Sequence, residues 1–285
     1  MEATPPSIHN RLSRILLHRR ILWLVCKLLY LLDKRCSTTV ARMCIGVLLD
    51  HLGRAVILFH LDVCSGKRQM IIPGVRTHLN TQEPVIALTL DACGGKRGNG
   101  FDKKLINWLR KHHIPATLFI TGRWINANEE IAKELASSPL FEIENHGMNH
   151  CPCSVSGRSA YGIPGTGSVE EVMREVSDAT VIIKKVTNRQ PRFFRSGTNY
   201  YDEVALALIE DLGYNVVGYS IAGDEGATLS EDAIVKKLLQ AKAGDIILCH
   251  MNQPESDTAE GLITVIPMLQ KKGFRFVTLQ EYPLR

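Results

Sequence analysis

The chain has 285 residues, 45% of them hydrophobic and 22% charged, enough for one large domain or two small ones with a substantial core. Its net charge of +5 sits largely before residue 36, in Arg11, Arg14, Arg19, Arg20, Lys27, Lys34 and Arg35. The remainder is close to balanced and does not indicate a nucleic-acid-binding face. Eight cysteines are spread along the chain with no CxxC pair, so a structural zinc site made of cysteines is not expected. Buried free thiols are the default reading, and either redox compartment stays open.

The first 35 residues are basic and then briefly apolar, from Ile21 to Leu32. A signal peptide has this order. Lys27 inside the run and the lack of a clean small-residue cleavage site count against it, and the run is short for a transmembrane helix. A surface-lying amphipathic anchor is the third reading. The expectation is an exported, periplasmic or membrane-anchored protein over a cytoplasmic one. A second apolar stretch over 40–59, broken by Arg42, Asp50, His51 and Arg54, suggests a peripheral helix. Polar residues at 65–68 and a connection at 71–74 divide the chain into an N-terminal extension, 1–65, and a main domain, 70–285.

In the main domain strand and helix signals alternate, which predicts an α/β fold with a parallel sheet or barrel. A continuous apolar strand over 85–90 ends in Asp91, followed by a Gly-rich loop through Gly100. A helix over 101–112 turns Leu105, Ile106, Trp108 and Leu109 inward. Residues 116–120 form a strand stopped at Gly122, 129–137 a helix, and 141–143 a short strand. A Gly- and Ser-rich loop over 153–168 is a candidate binding loop or lid. Then come a helix over 169–186, a strand from Phe193 ending at Arg195, and a helix over 204–212. A strand over 215–221 ends near Asp224, a helix covers 231–241, and a strand over 245–249 ends in His250. A last helix spans 261–272 and a last strand 274–279.

His146 and His150 stand four residues apart, so one helical turn or a tight loop would point both imidazoles the same way. Neighbouring Asn and Gly favour the loop. Neutral imidazoles so placed suit a divalent metal, although an H-x-x-x-H pair alone fits solvated loop histidines equally well. What adds weight is position. Asp91, His146, His150, Arg195, Asp224 and His250 all fall at or just beyond the carboxyl ends of strands, the face on which a parallel barrel builds its site.

These residues resemble the polysaccharide deacetylases of the NodB homology type, carbohydrate esterase family 4. The TFDDG motif corresponds to Thr89-Leu90-Asp91-Ala92-Cys93-Gly94-Gly95, and the following strand to Ala116-Thr117-Leu118-Phe119-Ile120-Thr121-Gly122. The H-[ST]-x-x-H-P element is similar to His146-Gly147-Met148-Asn149-His150, with Pro152 one place late. The Arg motif is similar to Pro191-Arg192-Phe193-Phe194-Arg195-Ser196-Gly197, and the I-x-L-x-H motif to Ile246-Ile247-Leu248-Cys249-His250. The matches come in family order over about residues 70 to 285.

The resemblance implies a distorted (β/α) barrel that hydrolyses an acetamide on an amino sugar, with an N-acetylated glycan as partner. It implies Asp91 as general base, His146 and His150 as ligands of a divalent metal, often zinc, and Arg195 as the group that orients the base. It implies His250 as the acid that protonates the departing amine, tuned by Asp224, with Glu225 nearly as well placed in the sequence.

Two positions depart from the pattern. The family's second Asp, its third metal ligand, is Ala92 here. The site then binds metal through the histidines and a further group such as Cys93, Asn145 or water; or it works without metal, as an allantoinase-like amidohydrolase of a small amide or ureide; or it only binds glycan. Retention of Asp91, Arg195 and His250 favours an enzyme. Ser196-Gly197 replaces the usual Pro-Pro, which predicts a loosened loop. Of the remaining residues, His112 and His113 suit a helix C-terminus, Trp108 suits the core, Trp124 and Tyr161 are candidate sugar-stacking aromatics, and Cys249 faces away from His250 by alternation.

Overall fold

The computed structural model describes residues 43–49, 55–61 and 72–285. The basic and apolar segment read as a signal or anchor lies outside the described residues. Among those described, no helix is long and apolar enough to cross a membrane. The chain divides into two compact units, Met1–Arg68 and Gln69–Arg285.

In the first unit β1 (Met43–Leu49) and β2 (Ala55–Leu61) pair antiparallel, in register from Met43↔Leu61 to Leu49↔Ala55. This hairpin replaces the helix expected over 40–59. Ile45, Val47, Val56 and Ile57 are β-branched and stiff at χ1, and Gly46 weakens a helix further.

The second unit is a curled parallel sheet with helices packed on it, a (β/α) barrel. Its strands are β3 (Val85–Ala92), β4 (Ala116–Ile120), β5 (Phe141–Asn145), β6 (Phe193–Phe194), β7 (Asn215–Val216), β8 (Ile221–Ala222), β9 (Ile246–His250) and β10 (Arg275–Val277). They lie in the order β7-β6-β5-β4-β3-β9-β8, with β10 against the start of β3. The helices are α1 (Lys103–Lys111), α2 (Gly122–Ala127), α3 (Glu129–Ala136), α4 (Val169–Thr187), α5 (Glu203–Asp211), α6 (Glu231–Leu238) and α7 (Thr258–Lys271). The short α2, capped by Thr121 Oγ1 on Trp124 N–H, is absent from the sequence reading.

β3 is the central strand and all eight of its residues are buried, as expected of a parallel strand covered on both faces. Its side chains alternate. Ile86, Leu88, Leu90 and Ala92 join the apolar core beneath the helices, whereas Val85 and Ala87 join the core inside the barrel. Thr89 and Asp91 share that inner parity.

The single strand expected over 215–221 is two strands at opposite edges of the sheet. The four residues between them, Val217 to Ser220, carry the chain from one edge to the other. Val217 N–H bonds Phe194 O beyond β6, while Ser220 N–H bonds Ile246 O on β9. Nothing local marks this crossing in the sequence, because Val217 is core in either case. The crossing is what nearly closes the barrel.

Candidate active site

Asp91 is the penultimate residue of β3 and is 3% exposed. Its Oδ1 accepts from Arg195 Nη1 at 2.7 Å. Arg195, immediately after β6, is fully buried and its donors are widely used: Nη1 to Thr89 Oγ1 at 2.9 Å, Nη2 to Gly218 O at 2.7 Å and Nε to Val217 O at 3.2 Å. The two carbonyls belong to the segment that crosses between the sheet edges, so barrel closure itself holds the guanidinium. Its Cζ also lies 4.2 Å from the centroid of the Phe119 ring. Burial alone would raise the Asp91 carboxyl. The charges of Arg195, His146 and His250 outweigh it and hold the group below the usual carboxylate range, ionised at neutral pH.

His250 ends β9 directly opposite Asp91 in the β3–β9 register. Its Nδ1 meets Asp224 Oδ1 at 2.9 Å, and its backbone N–H donates to Asp224 Oδ2 at 2.7 Å. Thr258 Oγ1 donates to the same oxygen at 3.0 Å and Gly226 N–H to Oδ1 at 3.2 Å. The choice between Asp224 and Glu225 is thereby resolved: Asp224 is buried under His250, and Glu225 pairs outward with Lys237. Burial works against a charged imidazole, but the Asp224 hydrogen bond and the facing Cys93 raise the His250 pKa well above its ordinary value. The pair holds a proton on the imidazole.

The two histidines leave β5 on a tight loop with Gly147 at φ +81° and His150 at φ +61°. His146 Nδ1–H donates to Arg195 O at 2.8 Å, which fixes the ring and turns Nε2 toward Asp91 and Cys93. That nitrogen lies 3.5 Å from Asp91 Oδ2 and 4.0 Å from Cys93 Sγ. The His146 and His150 rings meet edge to face with centroids 4.9 Å apart. One ligand atom from each of Cys93, His146 and His150 falls within 4.8 Å of the others. Among the described residues this is the group of three that could hold a metal ion. Burial alone would raise the Cys93 thiol, but hydrogen bonds with His146 and His150 and the facing His250 pull it well below its ordinary value.

Asn145 does not join the cluster. Its amide donates to Val176 O and Thr180 Oγ1 on α4, and its Oδ1 accepts from Gly147 N–H.

A residue absent from the sequence reading holds the loop. Glu175 on α4 is 4% exposed, and its carboxylate accepts the backbone N–H groups of Asn149 and Cys151. Its backbone carbonyl takes Met148 N–H at 2.8 Å. A Cβ on Gly147 would overlap this carboxylate, which explains the glycine independently of φ. A mid-helix Glu on an amphipathic pattern carries no signal of such a role; only its burial, at a position where the helix turns Val172, Val176 and Ala179 inward, reveals it.

The Ser196-Gly197 segment is not loosened. Ser196 is fully buried, its N–H donates to Tyr201 Oη at 2.7 Å and its Oγ to Tyr200 O at 2.8 Å. Gly197 packs so closely on the His150 carbonyl that a Cβ would overlap it. Trp124 is corrected as a stacking candidate: it is fully buried and donates Nε1–H to Gly100 O. Tyr161 is 77% exposed on the long loop, and Cys249 is buried, as alternation requires.

Residues 78–217 match the polysaccharide deacetylase family. A Bacillus cereus peptidoglycan-N-acetylglucosamine deacetylase is 28% identical over 203 residues, covering 70% of this chain and 88% of that protein. The Bacillus subtilis peptidoglycan-N-acetylmuramic acid deacetylase PdaA is 26% identical over 210 residues, covering 71% and 72%. Among solved structures, a CE4 family pseudoenzyme from Bacillus anthracis superposes with a TM-score of 0.61 at 22% identity, covering 73% of this chain and 67% of that one. That similarity concerns the fold.

Proposed function

Because the chain belongs to the polysaccharide deacetylase family, we propose that it hydrolyses the N-acetyl group of an amino-sugar glycan, releasing acetate and a free amine. The observation that carries this reading is the pairing of Asp91 with Arg195 and of His250 with Asp224 on adjacent strand ends, beside the histidine pair. One carboxylate is held ionised and one imidazole is held protonated. Those are the states in which a base and an acid must start.

In the forward reaction Asp91 takes a proton from the attacking water while Arg195 keeps its carboxylate aimed. The new C–O bond forms as the carbonyl π bond opens, and the C–N bond breaks when the resulting tetrahedral species collapses. His250 delivers its proton to the departing nitrogen, and Asp224 stabilises the imidazolium until then. A base whose pKa is depressed is weak, so the water itself needs activation. A divalent ion, zinc in our reading, would supply this by polarising the carbonyl and lowering the pKa of water. His146 and His150, with Cys93 nearby, would hold it; the Nε2 of His146 turned toward Cys93 and the convergence of three ligand atoms fit such an ion.

The named activities of the Bacillus relatives point to N-acetylglucosamine or N-acetylmuramic acid residues of peptidoglycan as the substrate class. Such a substrate accords with an exported or membrane-anchored protein, the reading of its N-terminal segment.

The test is acetate release from a panel of N-acetylated oligosaccharides, with metal analysis of the same preparation. Wild type should release acetate, and Asp91→Asn and His250→Ala should each lose it with the fold intact. Turnover that survives thorough chelation and His146→Ala would instead mark a metal-independent hydrolase of a small amide. Oligosaccharide binding without turnover under any metal would mark a glycan-binding module, the reading Ala92 favours.

A further inference from the structure

We propose that Cys93 is the third protein ligand of the metal, as a thiolate, and that this makes the site select borderline-soft ions such as zinc and cobalt over manganese and magnesium. The inference rests on the deacetylase reading for the presence of a metal, but not on turnover. It begins with strand parity. Ala92 faces the apolar core beneath the helices, where a carboxylate would be buried among side chains such as Ile120 and Trp124. Asp91 points to the barrel interior, and Cys93, two residues on, returns to that side. The residue in the family's ligand position is thus turned away from the histidines, and its neighbour is turned toward them.

The distances agree with ligation. Tetrahedral zinc with Zn–S of about 2.3 Å and Zn–N of about 2.0–2.1 Å places sulfur and nitrogen roughly 3.6 Å apart. Cys93 Sγ and His146 Nε2 are 4.0 Å apart, so this pair needs a few tenths of an ångström to close on an ion, and all three ligand atoms lie within 4.8 Å of one another.

The cysteine is also held in place. Its carbonyl accepts from Thr121 Oγ1 at 2.9 Å and from Arg123 Nε at 2.8 Å, and the next residue is Gly94, where a Cβ would stand 2.9 Å from Trp124 N. Two imidazoles and a thiolate suit zinc, cobalt and copper, whereas carboxylate and water suit magnesium and manganese. Replacing a carboxylate by a thiolate should therefore move the site along that scale without moving the histidines.

Cobalt reports the difference directly, because a thiolate ligand gives Co(II) a sulfur-to-metal charge-transfer band in the near ultraviolet that imidazole and carboxylate do not. Metal-free full-length protein titrated with Co(II) should develop this band. Cys93→Ala and Cys93→Asp should lose it, with circular dichroism confirming that each variant is folded. By equilibrium dialysis, Cys93→Ala should bind zinc at least about tenfold more weakly, in the range seen when groups supporting a metal site are removed. Cys93→Asp should recover affinity for manganese relative to zinc. Wild type that binds cobalt with no such band would overturn the proposal, as would a band that persists in folded Cys93→Ala. Absence of acetate release from a protein that shows the band would overturn the deacetylase reading alone.

Discussion

The site has two sides that are built differently. On one side Asp91 and His250 stand within β3 and β9, directly opposite each other in sheet register, and Arg195 and Asp224, just beyond β6 and β8, bond to them. On the other side Cys93, His146 and His150 open the loops that leave β3 and β5, outside any strand pairing, with the histidine loop held by one buried carboxylate from a helix. A strand end cannot change its partner without shifting a whole ladder of hydrogen bonds. A loop can exchange the residue that faces a ligand by one position. The side fixed by register matches the family pattern, and the side fixed by loops departs from it at Ala92 and Cys93.

The strongest way to break this comparison is at Arg195, which belongs to both sides: it pairs with Asp91 and its carbonyl orients His146. Arg195→Ala leaves a buried carboxylate without its partner and strips Val217 O and Gly218 O of their donors. We expect loss of stability of about 3–5 kcal/mol, measured by urea unfolding, and acetate release reduced beyond detection. A variant as stable as wild type would mean that the crossing segment closes the barrel unaided.

Within the strand-end side, His250→Ala should reduce turnover by roughly 10²–10⁴-fold, the span usual for a lost acid or base. Asp224→Asn should fall in the lower part of that span, because the imidazole keeps a partner but loses the charge that holds its proton. The distinguishing measurement is the pH profile. In Asp224→Asn the limb that reports the acid should move to lower pH; an unmoved limb would remove Asp224 from the tuning of His250.

Much of this was legible from residue order alone. The central strands, the long α4 and five of the six strand-end residues carry local signals: apolar runs, a helical period, a polar residue closing each strand. Asp224 was separable from Glu225 only by which of them is buried under His250. What escaped the sequence depends on chain crossing in space. Residues 215–221 read as one strand, yet the segment splits between two sheet edges. Glu175 looks like one more polar residue on a helix, and its role exists only because the His146 loop folds onto it. Ser196-Gly197 suggested slack, whereas Tyr201 and the His150 carbonyl leave that segment no room.

The loop side is sharpened by Glu175→Gln. The amide oxygen can keep the Oε1 place, which accepts from both Asn149 and Cys151, but the NH₂ then stands where Oε2 accepts from Asn149 N–H and opposes it donor to donor. Metal affinity, followed by zinc titration, should drop roughly 10–100-fold, as for other groups that orient a ligand from behind. Turnover at saturating zinc should recover most of its wild-type value. Unchanged affinity would show that the loop conformation is set by Gly147 and Gly197 without the carboxylate.

The smallest effect concerns Glu144, one of the supports of the strand-end side. It is 4% exposed, and its Oε2 accepts from the N–H groups of Arg192 and Phe193 at 2.8 and 2.7 Å, where the chain enters β6 and leads to Arg195. Burial, with Glu142 adding repulsion and Arg192 opposing it only in part, pushes its pKa from 4.5 up to about 8. The folded chain therefore keeps a proton that the unfolded chain gives up above 4.5. Stability from this group is complete below that pH, declines as pH rises, and is gone above about 8. Asp91 and Asp224, whose pKa values are lowered, act in a separate window, losing their contribution as pH falls through the acidic range. His250, with its raised pKa, adds to the decline at high pH, so the wild-type slope alone does not isolate Glu144. Comparison with Glu144→Gln does: its unfolding free energy from urea titration should fall less between pH 5 and 8 than that of wild type, by on the order of 1–3 kcal/mol. Equal slopes in the two proteins would mean that Glu144 is ionised in the fold, held by the two backbone donors and the Arg192 charge.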